Sequence, residues 1–303
     1  MNILITGGTG FIGKPLIHRL LSAGHFCHVV SRKSEQEVRA LFSTGQSELT
    51  VWPRLESIPK TLKINAVINL AGEPIAEKRW TRQRKTLLRQ SRIGLTTSLV
   101  EKLQELDHKP DVLISGSAVG YYGNTGDTIC TENTPGHKEF THELCAQWEE
   151  EAKQVKQLGI RCCRLRTGLV LGARGGFLSN LLPFFKLGLG AKLGSGEQWM
   201  SWIHLTDMIE IILFLLETPS CSGAYNATAP SPVTNKDFTQ LLAKALGRRA
   251  FLTIPGFVLE LALGEMAVLL TGGQRVVPQK LLNEGYAFQY SGLDAALRAT
   301  LVE

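Results

Sequence analysis

The stretch MNILITGGTGFIG (residues 1–13) decides the fold of this chain. Residues 2–6 are mostly apolar and predict a short buried strand, and residues 14–23 predict a helix. Gly7, Gly10 and Gly13 lie between them in the spacing TGxxGxxG. A strand, a glycine turn and a helix are typical of a dinucleotide-binding unit: the first glycine forms the turn, the second admits the pyrophosphate, and the third lets helix and strand pack closely. We therefore predict that an anion binds at the N-terminus of this helix, where free N–H groups and the helix dipole favour negative charge.

Apolar strands alternate with helical patterns through the rest of the first half. The predicted strands are residues 26–31, 49–52, 65–70, 111–115 and 160–171, and the predicted helices are residues 81–106 and 140–158. Alternation of this kind predicts an α/β fold with a doubly wound parallel sheet, covered by helices on both faces.

Beyond Gly172 the chain is broken by glycines, which indicates a second, smaller unit. Asp207 is predicted to cap a helix over residues 208–217, and residues 223–227 are predicted to form a last strand. Asn235 is predicted to cap a helix over residues 236–246, with further helices near residues 258–270 and 294–301. We therefore predict a dinucleotide-binding domain over residues 1–173, completed by residues 206–228. Residues 174–205 and 229–303 would form a C-terminal substrate lobe.

The composition is that of a soluble globular protein: 303 residues, 44% hydrophobic and 20% charged. No apolar run approaches the roughly 18 residues that span a bilayer. Because the chain begins directly in a strand, we expect no leader segment, no membrane partner and a cytoplasmic location. The six cysteines show no CxxC spacing and are expected to be reduced thiols. HELCA (residues 142–146) lacks the second histidine of a zinc helix, so no metal site is expected.

The net charge of +6 comes largely from one segment, residues 78–92. No nucleic-acid-binding motif accompanies it, so we expect a small anionic ligand rather than nucleic acid. Arg82, Lys85, Arg89 and Arg92 share one helical face, which is ordinarily a solvated face. Arg92 is the member expected to hold a phosphate of the cofactor or the substrate. The sequence indicates no oligomeric state.

The end of the second predicted strand selects the cofactor. An acidic residue at this place binds the ribose 2′-OH of NAD. The chain instead reads Ser31-Arg32-Lys33, and a hydroxyl beside an arginine fork suits the 2′-phosphate of NADP. We therefore predict that NADP is the cofactor.

Three motifs carry a resemblance to a known family: TGGTGFIG (residues 6–13), NLAG (residues 69–72) and SGSAVGYYG (residues 115–123). With them the chain resembles the extended short-chain dehydrogenase/reductases of the NAD-dependent epimerase/dehydratase superfamily. The strings QSRIGLTTSLV, RTGLVLG and SWIHLTDM narrow the likeness to atypical epimerase-family proteins with a DUF1731-type C-terminal domain. The resemblance implies a Rossmann domain with a small substrate domain. The cofactor contacts that it implies are Gly7, Gly10, Phe11, Ile12, Gly13, Leu70, Ala71, Gly72, Ser115 and Val170.

The chain departs from this family at the catalytic pair. Such enzymes usually carry Tyr-x-x-x-Lys on the helix after the fifth strand, but here Leu144 and Trp148 occupy those positions, and neither can transfer a proton. We therefore predict that Ser117 and Tyr122 polarise the substrate, with Tyr121 or a bound water as other proton donors. The alternative is that the tyrosine pair packs the loop and Ser117 bonds only to the backbone.

Two functions stay open. The first is an NADP-dependent oxidoreductase or epimerase-like enzyme acting on a small carbonyl or hydroxyl substrate, for which the basic segment allows an anionic group. The second is a catalytically silent NADP-binding protein, favoured by the missing Tyr/Lys pair. Glu73 and His204 rank lower as acid or base, since the sequence shows no partner for Glu73 and His204 precedes a predicted helix cap.

Overall fold

The computed structural model describes residues 1–42 and 47–302. Its strands are β1 (Asn2–Thr6), β2 (Phe26–Val30), β3 (Leu49–Trp52), β4 (Ala66–Asn69), β5 (Val112–Ala118), β6 (Gly126–Cys130), β7 (Arg161–Thr167), β8 (Leu169–Leu171), β9 (Ala191–Leu193), β10 (Trp199–Met200), β11 (Trp202–His204), β12 (Gly223–Ala227), β13 (Val233–Thr234), β14 (Leu252–Ile254) and β15 (Gln274–Val276). Seven of them form one parallel sheet in the order β3-β2-β1-β4-β5-β7-β12. This confirms the predicted doubly wound parallel sheet.

Helices cover both faces of this sheet. The helices of the described residues are α1 (Gly13–Ser22), α2 (Glu35–Arg39), α3 (Arg82–Arg89), α4 (Leu95–Glu105), α5 (Phe140–Lys153), α6 (Gly176–Lys186), α7 (Leu205–Glu217), α8 (Asn235–Ala245), α9 (Gly256–Leu263), α10 (Val268–Thr271), α11 (Gln279–Asn283) and α12 (Leu293–Val302), of which α1 and α7 cover one face of the sheet and α4 and α5 the other. Among the described residues, no helix combines the length and the apolar character that crossing a membrane requires.

Alternate residues of β1 enter different cores because successive side chains of a strand point to opposite faces. Ile3 and Ile5 pack with α1 and α7 on one face, whereas Leu4 packs with α4 and α5 on the other. Strands buried on both faces must be apolar throughout, which is why NILIT reads as a continuous apolar run.

A separate apolar core lies in the C-terminal part of the chain. It is built from α6, α8 and α12, and it includes the buried side chains of Trp202 and Phe238. The division of the chain at residue 173 stays a prediction.

The predicted sixth strand, residues 160–171, is wrong as a single element. It ends at Thr167, and β8 then leaves the main sheet to pair with β11. Gly168 stands at the break, where an added Cβ would lie 2.3 Å from the carbonyl oxygen of Ser201. This close approach of two backbones admits only glycine.

Two other predicted elements need correction. The helix over residues 81–106 is divided by a π-helical turn, Gln90–Gly94, into α3 and α4. Asp207 does not cap α7: the Nδ1 of His204 accepts the N–H of Thr206, and the Asp207 carboxylate accepts the N–H groups of Gln289 and Tyr290 instead. Thr234, rather than Asn235, caps α8.

Candidate functional site

The glycine turn between β1 and α1 is closely packed. Gly7 has a φ of +73°, and an added Cβ there would lie 2.6 Å from the carbonyl carbon of Leu70. A Cβ on Gly13 would lie 2.2 Å from the carbonyl oxygen of Gly7, whereas the Cβ of Gly10 would meet that oxygen only at 3.2 Å. Gly7 and Gly13 thus hold the turn against α1 and the end of β4, and Gly10 faces more open space.

A cleft of about 720 Å³, which we call the cofactor cleft, opens in front of this turn. Within the described residues no side chain caps the N-terminus of α1, where Ile12 is the N-cap residue. Of the residues predicted to hold the cofactor, those lining the cleft are Gly7, Gly10, Ser31, Arg32, Leu70, Ala71 and Gly72. The turn, the end of β2 and the end of β4 therefore meet at one place, as parallel strands with their carboxyl ends together require.

Cations gather at the β2 side of the cofactor cleft. Arg32 has a side chain that is 94% exposed, and its guanidinium lies 3.6 Å from the Glu73 carboxylate. Lys33 and Arg54 also line the cleft. Ser31 is buried, and its hydroxyl accepts the N–H of Lys33. An exposed arginine fork beside a fixed hydroxyl can bind a phosphate bidentately.

Three of the predicted cofactor residues lie behind the lining of the cleft. The ring of Phe11 packs against the glycine segment after β8, 2.5 Å from where a Cβ of Gly175 would stand. Val170 is buried in the core beside α1. Ser115 is fully buried and accepts a hydrogen bond from the Asn69 side chain at 3.3 Å. In this structure these three side chains therefore make packing and hydrogen-bond contacts within the protein rather than lining the cleft.

Arg92 does not itself line the cofactor cleft, but its guanidinium lies directly beside Gly72, which does. A Cβ on Gly72 would lie 3.0 Å from the Arg92 Cζ, and the guanidinium stacks 5.4 Å from the ring centre of Trp148. Burial lowers the pKa of Arg92. Its nearest hydrogen-bond contact is the Ser91 hydroxyl at 3.5 Å, a weak one, so the guanidinium keeps donors to spare.

The two positions of the missing catalytic pair are both filled by buried apolar groups. Leu144 packs in a small core with Trp80 and Phe140. The Trp148 indole donates to the Thr96 hydroxyl at 3.0 Å, and its ring lies 2.8 Å from where a Cβ of Gly116 would stand. Gly116 in β5 is therefore the residue that makes room for the tryptophan.

Ser117 and Tyr122 belong to a buried polar network, and neither lines the cofactor cleft. The Ser117 hydroxyl donates to Glu149 Oε1 at 2.9 Å. Arg166 binds the same carboxylate through two nitrogens, at 2.8 and 3.1 Å, and donates to the Tyr122 hydroxyl at 3.0 Å. That hydroxyl donates in turn to Asn226 Oδ1 at 2.6 Å. Both predicted catalytic side chains are thus committed to structural partners.

Tyr122 is poorly placed for proton transfer. It is fully buried, and this desolvation raises the pKa of its phenol to about 12. In this conformation the phenol does not line the cofactor cleft, and its raised pKa makes it a weaker proton donor.

Sequence reasoning missed Glu149, Arg164 and Arg166. The available signal was RCCRLRT (residues 161–167), in which arginines alternate along a strand of a parallel sheet. Strands of such a sheet are ordinarily apolar, so a buried charge in one of them requires a partner from a neighbouring element.

The basic segment is largely taken up by contacts with other parts of the chain. Lys85 pairs with Glu265 at 2.6 Å, Arg89 pairs with Glu143 at 3.5 Å, and Arg79 donates to the carbonyl oxygen of Ala262 at the end of α9. Lys85, Arg89 and Arg79 thus join this segment to the C-terminal part and to α5, whereas the buried Arg84 pairs with Glu73 at 3.3 Å.

The comparisons with known proteins agree with this geometry. Residues 3–227 match the model of the NAD dependent epimerase/dehydratase family, and residues 254–300 match DUF1731, a domain of unknown function. A chloroplastic homologue of the epimerase family protein SDR39U1 from Arabidopsis thaliana is 36% identical over 99% of this chain and 87% of its own. The epimerase family protein YfhF of Bacillus subtilis is also 36% identical, over 100% of this chain and 99% of its own.

A solved structure is similar over the whole chain. The human epimerase family protein SDR39U1 (isoform 2), crystallised with NADPH, superimposes with a TM-score of 0.89 at 34% identity, over 99% of each chain. This chain belongs to the NAD-dependent epimerase/dehydratase family, as its motifs indicate.

Proposed function

We propose that this family member binds NADPH in the cofactor cleft and acts as an NADP-dependent oxidoreductase or epimerase-like enzyme. The observation that carries the proposal is the closely packed glycine turn at the head of a cleft that ends in exposed cations. The residues present fit the dinucleotide: Gly10 leaves space for a pyrophosphate and α1 offers an uncapped N-terminus. The human relative that is similar over the whole chain was crystallised with NADPH.

Arg32, Lys33 and Ser31 would hold the 2′-phosphate. Arg32 can leave Glu73, because an ion pair at 3.6 Å between a largely exposed arginine and a carboxylate is weak. A phosphate of two negative charges competes well for the fork, particularly with Lys33 and Arg54 beside it. NADH has a neutral hydroxyl in place of the 2′-phosphate, so it offers these cations no charged partner at this position.

Arg92, beside Gly72 at the cleft wall, would orient the substrate. When bound, the nicotinamide supplies or accepts a hydride. The protein must then stabilise charge on the substrate oxygen, and Arg92 offers half-buried donors for this purpose. We infer a small carbonyl or hydroxyl substrate, with an anionic group favoured by the same guanidinium. Ser117 could join only by releasing Glu149.

Calorimetric titration with NADPH and NADH tests the binding part of the proposal, and NADPH oxidation over a panel of small aldehydes, ketones and keto acids tests the reaction. We expect NADPH to bind more tightly and at least one carbonyl class to be reduced, with the rate lowered by Arg92→Gln. Equal affinities for the two cofactors would contradict the assignment of NADP.

A second function is favoured by the Leu144 and Trp148 positions. With both apolar and buried, and Tyr122 closed off, the chain would be a catalytically silent protein that binds NADP and reports its presence to a partner. Tight NADPH binding without oxidation of the cofactor by any member of the panel would favour this function over the enzyme.

A further inference from the structure

A second cavity, of about 600 Å³, lies between α5, β7, β12 and α11 and shares no lining residue with the cofactor cleft. We call it the edge pocket, since β12 is the last strand of the sheet. Its charged lining residues are Lys153, Arg164, Arg166 and Lys280, against Glu132 and Glu149. Four cations face two carboxylates, so the pocket carries two positive charges in excess.

Most of these charges already have partners. Glu149 is engaged by both nitrogens of Arg166 and by the Ser117 hydroxyl. Glu132 accepts the backbone N–H groups of Asn226 and Lys280. The two carboxylates thus hold the walls of the pocket together and have little capacity left for a further cation.

Arg164 is the cation without adequate partners. The residue is 9% exposed, and its Nε has no hydrogen-bond partner among the described residues. Glu149 Oε2 lies 3.7 Å from that nitrogen, beyond hydrogen-bond distance. Burying a charged group without hydrogen bonds is costly, so the guanidinium favours any anion that can reach it.

A second cation converges on the same point. A Cβ built on Gly223 would lie 3.3 Å from Lys280 Nζ and 3.9 Å from Arg164 Nη2. Gly223 has a φ of +96°, a conformation that favours glycine, and its missing side chain leaves the space between the two cations open.

We propose that the edge pocket binds a small molecule through a phosphate or carboxylate group, with Arg164 as the anchor and Lys280 beside it. An arginine fork matches either oxyanion in a bidentate manner. The volume is that of a metabolite rather than of a single ion. Thr131, Asn133, Gln279 and Asn283 add polar groups around the rim, which suits a hydrophilic molecule.

Binding of inorganic phosphate and of succinate, each titrated separately, tests this site. Calorimetry follows both, and the ³¹P line width follows the phosphate. We expect at least one probe to bind the parent protein. Arg164→Gln should weaken that binding about tenfold or more, the usual worth of a charge-assisted hydrogen-bond pair. The better of the two probes identifies the group that the pocket prefers.

Arg298→Gln is the matched control, because it removes one exposed cation that lines neither the edge pocket nor the cofactor cleft. Saturating the protein with NADPH beforehand keeps both probes out of the cofactor cleft, and the control should then leave probe binding unchanged. Both variants should remain folded, as Arg164 Nε makes no hydrogen bond among the described residues and Arg298 is exposed, and circular dichroism checks this. Failure of both probes to bind the parent, or binding to Arg164→Gln as tight as to the parent, would overturn the proposal.

Discussion

At the scale of single residues, Arg32 should decide between the two cofactors. Its guanidinium is exposed, lines the β2 side of the cleft and makes only a weak ion pair with Glu73 at 3.6 Å. Arg32→Asp removes that donor and places a like charge near the 2′-phosphate, so NADPH affinity should fall by about 1.5–3 kcal/mol. NADH affinity should change little, which reverses the preference.

The measurement is calorimetric titration of the variant with each cofactor. Arg298→Asp is a suitable control, because Arg298 is an exposed arginine on α12 that pairs with Asp294, far from the cleft lining. An unchanged NADPH affinity in Arg32→Asp would show that the 2′-phosphate lies elsewhere.

Substitutions at Gly10 and Gly13 should have different effects: a change at Gly10 should block the ligand, and a change at Gly13 should destabilise the fold. A Cβ on Gly10 meets only the Gly7 carbonyl at 3.2 Å, whereas a Cβ on Gly13 lies 2.2 Å from that oxygen and 2.7 Å from the Gly8 Cα. Gly10→Val should therefore stay folded and lose NADPH binding, because the side chain fills the space of the pyrophosphate.

Gly13→Ala should by contrast lower the free energy of unfolding by a few kcal/mol through backbone displacement. Urea unfolding and NADPH titration of both variants check the pair of expectations. A folded Gly10→Val protein with the parent's affinity would place the dinucleotide outside the glycine turn.

At the scale of elements, α5 carries two buried apolar side chains, Leu144 and Trp148, at the positions where related enzymes carry the catalytic tyrosine and lysine. Restoring the family pair, with Leu144→Tyr and Trp148→Lys, should not raise any NADPH-dependent turnover, since the new lysine would stand in an apolar site under Gly116. The loss of the indole contact and the burial of a cation should cost about 3–5 kcal/mol in the free energy of unfolding.

Trp148→Phe is the control, because it keeps an aromatic side chain and adds no charge; it removes the hydrogen bond to Thr96 and part of the buried ring volume, at a cost of about 1–2 kcal/mol. Thermal and urea unfolding rank the variants, and cofactor oxidation measures turnover. A double variant that is stable and more active than the parent would show that α5 still supports the family mechanism.

The elements also show what a sequence can predict here. The unit made of β1, the glycine turn and α1 is local, because its apolar residues, its glycine spacing and the start of its helix all lie within one short stretch of sequence. The prediction of this unit is confirmed. The break at Gly168 depends on Ser201, which lies far along the chain, and no local pattern reveals it. The partners of Ser117 and Tyr122 are hidden from the sequence for a similar reason, because Glu149 and Asn226 approach these hydroxyls only in the folded sheet.

At the scale of the whole molecule, the basic segment (residues 78–92) makes contacts between the region matched by the epimerase model and the region matched by DUF1731. The sequence allowed a solvated face, yet Lys85 and Arg79 reach the region matched by DUF1731, at Glu265 and Ala262. Arg92, from the same stretch, turns instead towards Gly72 and the cleft. Docking of the C-terminal part is thus linked through α3 to the π-helical turn that bears Arg92, the group proposed to orient the substrate.

The stability of the folded molecule should fall at alkaline pH because its thiols are buried. All six cysteines are buried and free of disulfides. Desolvation raises the pKa of the thiols of Cys145 and Cys162 to about 11, and those of Cys27 and Cys163 to about 12. An unfolded thiol has a pKa near 9. Below that value both states are protonated and the stability is fully present. As pH rises from about 9 towards 11, the unfolded chain loses thiol protons that the folded protein retains.

Each such thiol should therefore lower the free energy of unfolding by up to about 1.4 kcal/mol per pH unit in that range. Urea unfolding under reducing conditions at several pH values measures the slope. Cys162→Ala should be somewhat less stable near neutral pH, since it removes a buried sulfur, but its stability should fall less steeply with alkaline pH than the parent's. Because lysines and tyrosines titrate alike in both proteins, the difference between the two slopes belongs to the Cys162 thiol, and equal slopes would contradict its raised pKa.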